Sequence, residues 1–258
     1  MTLEGQAMTR YMLKNNTKNK SEKMNILSMR TKFPNKLMIC ALTVMAAFAS
    51  VQNAKAEEDA FWKQQHVRSN WVYATLKQDE VLPLLERTLK DQQRWADLPE
   101  NAPDSFRCVT LQIAPPSADA LTAFNKAEAM PHGIDADTAY AQSASLGYWR
   151  AAARLIDHSL DDEYWEGAEP AIAWLLTQHI PAGYNKLADV LEISSGYDGE
   201  TPDNGTLNQV ASLRWRAARE GDPVAQIKMV NIFNKLGKPD IAASLRACAI
   251  QQNPKLAQ

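Results

Sequence analysis

The sequence lacks the residue patterns on which most catalytic and metal sites depend. Its 258 residues include only four histidines, and no two of them have the spacing of a metal-binding pair such as H-E-x-x-H. There is also no G-x-S-x-G turn, no phosphate-binding loop and no dinucleotide fingerprint. We therefore expect no metal site, no cofactor and no enzymatic activity.

Long apolar runs are scarce as well. The longest is the uncharged run over residues 37–51, which follows Arg30, Lys32 and Lys36 and precedes Ala54-Lys-Ala56. A basic segment, a short apolar core and a small-x-small site are typical of a secretory signal peptide, whereas a membrane span needs about 20 apolar residues. We predict cleavage near Ala56, a periplasmic location and no stable membrane span afterwards. The alternative is an uncleaved anchor.

Basic residues are in the minority in the part of the chain that would remain after cleavage. The first 56 residues hold nine of the 28 basic and two of the 30 acidic residues, so residues 57–258 carry 19 basic and 28 acidic residues, a net charge of −9. Binding to nucleic acid or anionic lipid needs a basic face, and we expect neither partner. The acidic balance suits a basic protein partner, although solubility alone also accounts for it.

Only two cysteines follow the predicted cleavage site, Cys108 and Cys248. In an oxidising compartment an even pair suggests a disulfide. Closing a loop of that length would stabilise the fold by roughly 4 kcal/mol in the chain-entropy model. The alternative is that both are small buried apolar residues, and the sequence leaves both readings open.

Apolar residues recur at helical spacing along most of the remaining chain, and no run alternates as a strand would. Residues 57–77 and the segment around Leu82, Leu85 and Leu89 predict two helices. Stretches rich in proline follow, and a third helix is predicted to begin at Ser117. The sequence therefore predicts an all-α protein. Its expected divisions are a leader over residues 1–56, a helical segment and linker over 57–104, and a repeat domain over 105–258.

A degenerate unit recurs in the second half of the chain. Gly147, His179 and Gly221 each precede a small residue by four positions and a large apolar residue by eight. Together with a broken copy at Gln252, these anchors lie about 32, 42 and 31 residues apart, a range typical of stacked helical hairpins. The predicted helical pairs cover residues 135–146 with 148–157, 168–178 with 182–193, and 207–220 with 223–235, followed by a last helix over 240–251. Such arrays usually bind another macromolecule.

Acidic residues flank aromatic ones in two predicted loops. The first loop covers residues 158–167 and the second, which is rich in glycine, covers residues 194–205. Aromatic residues anchor many protein interfaces, and acidic neighbours steer a basic partner toward them. We predict that a protein partner contacts Asp161, Asp162, Tyr164, Trp165, Tyr197, Asp198 and Glu200. The alternative for the aromatic residues is packing within the protein.

The repeat residues resemble the Sel-like helical repeat family, a relative of the tetratricopeptide repeats. The resemblance rests on Gly196-Tyr-Asp-Gly199, on Ala211-Ser-Leu-Arg-Trp215-Arg-Ala-Ala218-Arg-Glu-Gly221, and on the following Asp222-Pro-Val-Ala225. It covers residues 105–258, most closely over 140–250. The resemblance implies a short right-handed solenoid of helical hairpins.

The chain looks like an exported bacterial subgroup of that family. The resemblance to this subgroup implies an immunity protein of a type VI secretion system, which binds and occludes a lipase-type toxin, most directly a phospholipase effector acting in the periplasm. Two alternatives remain open at this point. One is a periplasmic scaffold for an envelope complex, and the other, more remote, is a cell-wall hydrolase.

Overall fold

The computed structural model describes residues 58–94, 97–196 and 201–257. The chain divides into two compact units, residues 1–59 and 60–258. Nearly all of the first unit, including the predicted signal peptide and its cleavage site, lies outside the described residues. Among the helices that are described, none is long and apolar enough to cross a membrane.

Helices account for all the regular structure of the described residues, as the sequence predicts. The ten α-helices are α1 (58–70), α2 (Gln78–Arg94), α3 (Ala118–Glu128), α4 (Ile134–Ser145), α5 (Trp149–Asp161), α6 (Glu169–Thr177), α7 (Ala182–Gly196), α8 (Asn204–Arg219), α9 (Pro223–Lys235) and α10 (Pro239–Gln252). Short 3-10 helices cover Val72–Ala74, Pro99–Asn101, Trp165–Gly167 and Pro254–Ala257.

Side-chain caps account for the starts of α3 and α9. Ser117 Oγ accepts a hydrogen bond from Ala120 N at 3.2 Å, and Asp222 Oδ2 accepts one from Ala225 N at 2.9 Å. Each bond satisfies a backbone donor that the first turn of a helix leaves free. At the end of α8, Gly221 has a φ of +102°, and the position of a Cβ there would lie 2.8 Å from Val109 O. Only glycine fits this turn without strain.

Several predicted boundaries differ from the structure. The glycine-rich loop is shorter than predicted, because α7 continues to Gly196 rather than residue 193 and α8 begins at Asn204 rather than residue 207. The first helix ends at residue 70 rather than 77, and the indole N–H of Trp71 donates to the carbonyl of Arg68 at 2.8 Å. In the other direction, α5 continues to Asp161, so residues 158–161 are helical and not part of a loop. The buried face of α5 extends through Ser159, which keeps the last turn packed against the core.

The helices pack in sequence order. Each helix from α3 to α10 contacts the next one, and α7 also contacts α5 and α9. The earlier helix α2 packs against α6 and α8. Buried alanines such as Ala151, Ala152, Ala217 and Ala218 allow the close approach of neighbouring helices.

A segment without regular structure, residues 102–117, is fastened to the last helices. The disulfide that the sequence left open is present, with Cys108 Sγ 1.98 Å from Cys248 Sγ. Gln252 Oε1 accepts a hydrogen bond from Leu111 N at 3.1 Å, and Lys238 Nζ donates to Ala102 O at 2.7 Å. The segment is therefore held at several points besides its covalent link.

Candidate functional site: a charged groove between the helices

A groove of about 500 Å³ lies between α5, α7, α8 and α9. The residues that line it are Asp157, Leu160, Asp161, Asp189, Glu192, Ile193, Arg214, Lys228 and Asn231. On α5 and on α7 the lining residues are spaced by three and four positions, which places them on one face of each helix.

Asp189 is the centre of an ion-pair network in this groove. Its Oδ1 accepts from Arg214 Nη2 at 2.8 Å and from Lys228 Nζ at 2.5 Å, while Lys186 Nζ lies 3.9 Å from Oδ2. Burial alone would raise the pKa of Asp189, but the charges of Lys228 and Lys186, with hydrogen bonds from Lys228 and Arg214, hold it below its usual value. The carboxylate therefore stays ionised at neutral pH.

Four residues of this network, Asp157, Lys186, Asp189 and Lys228, fall at equivalent positions of the units found in the sequence, whereas Arg154 pairs instead with Glu128. Counted from the three anchors, position seven is basic in every unit and position ten is Asp or Asn, and these residues are Arg154, Lys186 and Lys228, and Asp157, Asp189 and Asn231. Each lysine forms an ion pair with the aspartate of the preceding unit, Lys186 with Asp157 and Lys228 with Asp189. The result is a ladder of ion pairs that runs from one helical pair to the next.

Carboxylates at the rim of the groove are more exposed than the cations beneath them. The side chain of Glu192 is 47% exposed and accepts from Arg214 Nη2 at 2.5 Å and Nη1 at 3.2 Å. Asp161, the last residue of α5, is exposed and has no ion pair with any residue that the structure describes. Asp161 therefore offers an unpaired negative charge at the rim, whereas the exposed Glu192 is already paired with Arg214.

The structure separates the predicted partner-contacting residues. Asp161 lines the groove, whereas the neighbouring Asp162 pairs with Arg68, whose Nη2 lies 2.7 Å from its Oδ2. Tyr164 is half-buried and packs edge-on against Phe61, with ring centroids 5.5 Å apart.

Of the four remaining residues predicted to contact a partner, the structure describes only Trp165. Trp165 is only 6% exposed, so its ring is packed within the protein, as the alternative reading held, and is not a surface anchor. The other loop residues, Tyr197, Asp198 and Glu200, lie outside the described residues.

A second charged cluster was missed by the sequence reasoning. Arg68 Nε lies 2.6 Å from Asp137 Oδ2, both side chains are wholly buried, and His158 Nδ1 lies 2.5 Å from Asp137 Oδ1. Asp162 and His132 complete the cluster around the Arg68 guanidinium. These residues come from positions up to 94 apart along the chain, so no local spacing indicates that they meet.

This cluster is not arranged to bind a metal, although His132, Asp137 and His158 bring possible ligand atoms close together. The two imidazole rings are stacked 3.9 Å apart and nearly parallel, so their lone pairs do not converge on one point. Arg68 donates to Asp137 and lies 3.1 Å from His132 Nε2, which already places a cation among these groups. We interpret the cluster as an ion-pair network that stabilises the packing of α1, α4 and α5.

A buried carboxyl lies next to the loop that contains Tyr164. Glu169, at the start of α6, is 7% exposed, and its Oε1 has no hydrogen-bond partner among the described residues. Burial, with a smaller contribution from the charge of Glu166, raises the pKa of Glu169 to about 8. Its carboxyl is therefore mostly protonated in the folded protein at neutral pH.

Glu169→Gln is expected to raise the free energy of unfolding by roughly 2–4 kcal/mol at pH 9 and by much less at pH 5. Ionisation of Glu169 is disfavoured in the folded state, so wild-type stability is lost as pH rises from its ordinary pKa of 4.5 through about 8. Urea unfolding at the two pH values measures the difference. The exposed Glu163→Gln is the control. An equal gain at both pH values would show that Glu169 does not carry this pH dependence.

Comparison with known proteins finds no family model, no curated protein and no solved structure that matches this chain.

Proposed function

We propose that this protein is a periplasmic immunity protein. In this proposal it binds a type VI secretion toxin, most directly a phospholipase effector, and covers the entrance to the toxin's active site. The observation that supports a binding role is the groove, whose rim carries the exposed carboxylates of Asp161 and Glu192. Acidic residues at such a rim speed association with a basic partner and favour it over others.

The proposal includes a short right-handed solenoid as the binding scaffold. Two features support it. The second helices of successive pairs, α5 with α7 and α7 with α9, contact each other in addition to their own first helices. The ion-pair ladder links equivalent positions of neighbouring pairs, from Lys186 to Asp157 and from Lys228 to Asp189. Stacked repeats bury a continuous core and present an extended surface in this way.

The periplasmic location is part of the same proposal. The disulfide between Cys108 and Cys248 supports it, because such bonds persist in oxidising compartments and are rare in the cytosol of most organisms. The basic and apolar segment that ends near Ala56 gives the chain a route of export.

Affinity purification of the tagged protein from its native host tests the proposed function. The expected result is one abundant co-purifying protein, identified by mass spectrometry as a lipase-type toxin. A resin loaded with an unrelated exported protein is the control. Several envelope components without a toxin would favour the scaffold and contradict the immunity role.

A further inference from the structure

We propose that residues 104–114 form a docking edge, to which the protein partner adds a strand of its own. This inference rests on the proposed function, because it names how a protein partner is held. The partner segment is an extended backbone that pairs with the N–H and C=O groups of Cys108, Thr110 and Gln112.

The docking edge has the composition and the path of a β-strand. Four of the eight residues from 106 to 113 are Phe, Val, Thr or Ile, which favour strands. Residues 106–117 run without a turn or a bend. Gln112 Nε2 donates to Thr110 Oγ1 at 3.5 Å, because side chains two positions apart lie on one face of an extended chain. No strand among the residues that the structure describes lies beside this segment.

The side chain of Gln252, at the end of α10, pairs with one side of the segment. Its Oε1 accepts from Leu111 N at 3.1 Å and its Nε2 donates to Val109 O at 3.4 Å, so its amide takes the place of a neighbouring peptide group. In an extended chain the N–H and C=O of one residue point to the same side, and those of the next residue point to the opposite side. Residues 109 and 111 therefore face Gln252, and residues 108, 110 and 112 face away from it.

The side that faces away from Gln252 is open. Cys108, Thr110 and Gln112 are exposed, and their backbone N–H and C=O groups have no hydrogen-bond partner in the part of the chain that the structure describes. A row of unpaired backbone groups along an extended segment is a template for pairing with another chain. The hydrogen-bonding pattern therefore selects an extended backbone as the ligand.

The docking edge is held in place without a partner. The disulfide joins Cys108 to Cys248 on α10, and the ring of Phe106 packs against that of Trp215, with centroids 6.1 Å apart. A segment that is already ordered loses less conformational entropy when it binds.

Charge favours a different protein over a second copy as the occupant. Residues 57–258 contain 19 basic and 28 acidic residues, a net charge of −9, so two copies repel each other. Val109 is 41% exposed, and an apolar or β-branched residue of the partner strand would pack against it. Pro103 and Pro115 flank the docking edge, and because proline cannot donate to a ladder, pairing is confined to residues 104–114.

Amide hydrogen exchange, followed by NMR, tests the open side of the docking edge. The probe is the strand-forming peptide acetyl-Lys-Val-Thr-Val-Thr-Val-Lys-amide. It is expected to slow exchange at the amides of Thr110 and Gln112 by roughly tenfold or more. The amide of Leu111 is expected to exchange slowly with or without the peptide, because Gln252 accepts its hydrogen bond.

The control is the same peptide with N-methyl groups on its five central residues, which removes its backbone donors. Equal protection by the methylated peptide would overturn the inference. Unchanged exchange at both Thr110 and Gln112 with the unmodified peptide would also overturn it.

Substitutions at Thr110 test the docking edge in the complex with the affinity-purified partner. Thr110→Pro removes an N–H from the open side, although proline still fits an extended chain, and is expected to weaken binding by roughly tenfold or more. Thr110→Ala keeps the N–H and is the matched control, with the affinity of the wild type. Gln112→Pro, with Gln112→Ala as its control, provides a second pair in case Thr110→Pro does not fold.

The two proposals fail separately. If the partner binds wild type and Thr110→Pro equally well, the docking edge is wrong while the immunity role stands. If the peptide protects Thr110 and Gln112 but no toxin co-purifies, the docking edge stands and the immunity role is wrong. A dimer of the purified protein in sedimentation, lost in Thr110→Pro, would assign the edge to a second copy and overturn the assignment to a partner.

Discussion

Asp137→Asn is expected to lower the free energy of unfolding by roughly 3–5 kcal/mol, the cost of breaking a buried ion pair from one side. Asp137 accepts from Arg68 at 2.6 Å and from Gln64 at 2.8 Å, and both charged side chains are wholly buried. The substitution leaves the guanidinium in the interior with only the partly exposed Asp162 as a counter-charge. Urea unfolding near neutral pH, with Trp fluorescence as the signal, measures the loss.

Asp162→Asn is the matched control for this prediction. Asp162 contacts the same guanidinium, but its side chain is 33% exposed, so its loss is expected to cost less than about 1 kcal/mol. Equal effects of the two substitutions would show that burial does not determine how much an ion pair with Arg68 stabilises the fold.

The Asp137 carboxylate also makes the stability of the protein depend on pH in the acidic range. Burial raises the pKa of Asp137, but hydrogen bonds from His158 and Gln64 and the charge of Arg68 outweigh it and hold the pKa below its ordinary value. The stability that Asp137 contributes is therefore present above the ordinary value of 3.8 and is lost as pH falls below it. In the Asp137→Asn variant this part of the acid sensitivity should be absent.

Replacing both Cys108 and Cys248 with alanine is expected to lower the free energy of unfolding by about 4 kcal/mol. The two residues are 140 positions apart, so the bond closes a long loop and restricts the unfolded chain strongly. The variant also frees the segment over residues 102–117 from one of its attachments to α10. Guanidinium unfolding of the oxidised wild type and of the variant measures the difference.

Reduction provides the control for the disulfide. Wild-type protein unfolded in the presence of a thiol reductant should show the same midpoint as the alanine variant, since both lack the bond. A difference of less than 1 kcal/mol between the oxidised and variant proteins would contradict the chain-entropy account, and the hydrogen bonds of Leu111 and Lys238 would then hold the segment unaided.

Local patterns in the sequence predicted the helices because each pattern has a local cause. The apolar face of α8 and the glycine that follows it, Gly221, need no knowledge of the rest of the chain. The same is true of the caps at Ser117 and Asp222. The predicted boundaries were wrong where tertiary packing extends a helix, as in the last turn of α5 at Asp161.

The charged groups could not be placed from local spacing. Asp189 meets Arg214 and Lys228 across 25 and 39 positions, and Arg68 meets Asp137 across 69. The sequence nevertheless contains a signal for the groove. When the three sequence units are aligned on Gly147, His179 and Gly221, position seven is basic and position ten is Asp or Asn in each. No such alignment relates the residues of the Arg68 cluster.

The central proposal is that this protein neutralises a toxin. The most direct test is the lipase activity of the co-purified partner, measured on phospholipid vesicles while increasing amounts of this protein are added. We expect the lipase activity to fall in proportion to the protein added until none remains, and the variant D161N/E192Q to inhibit less well at the same concentration. Full activity in the presence of excess wild-type protein would contradict it.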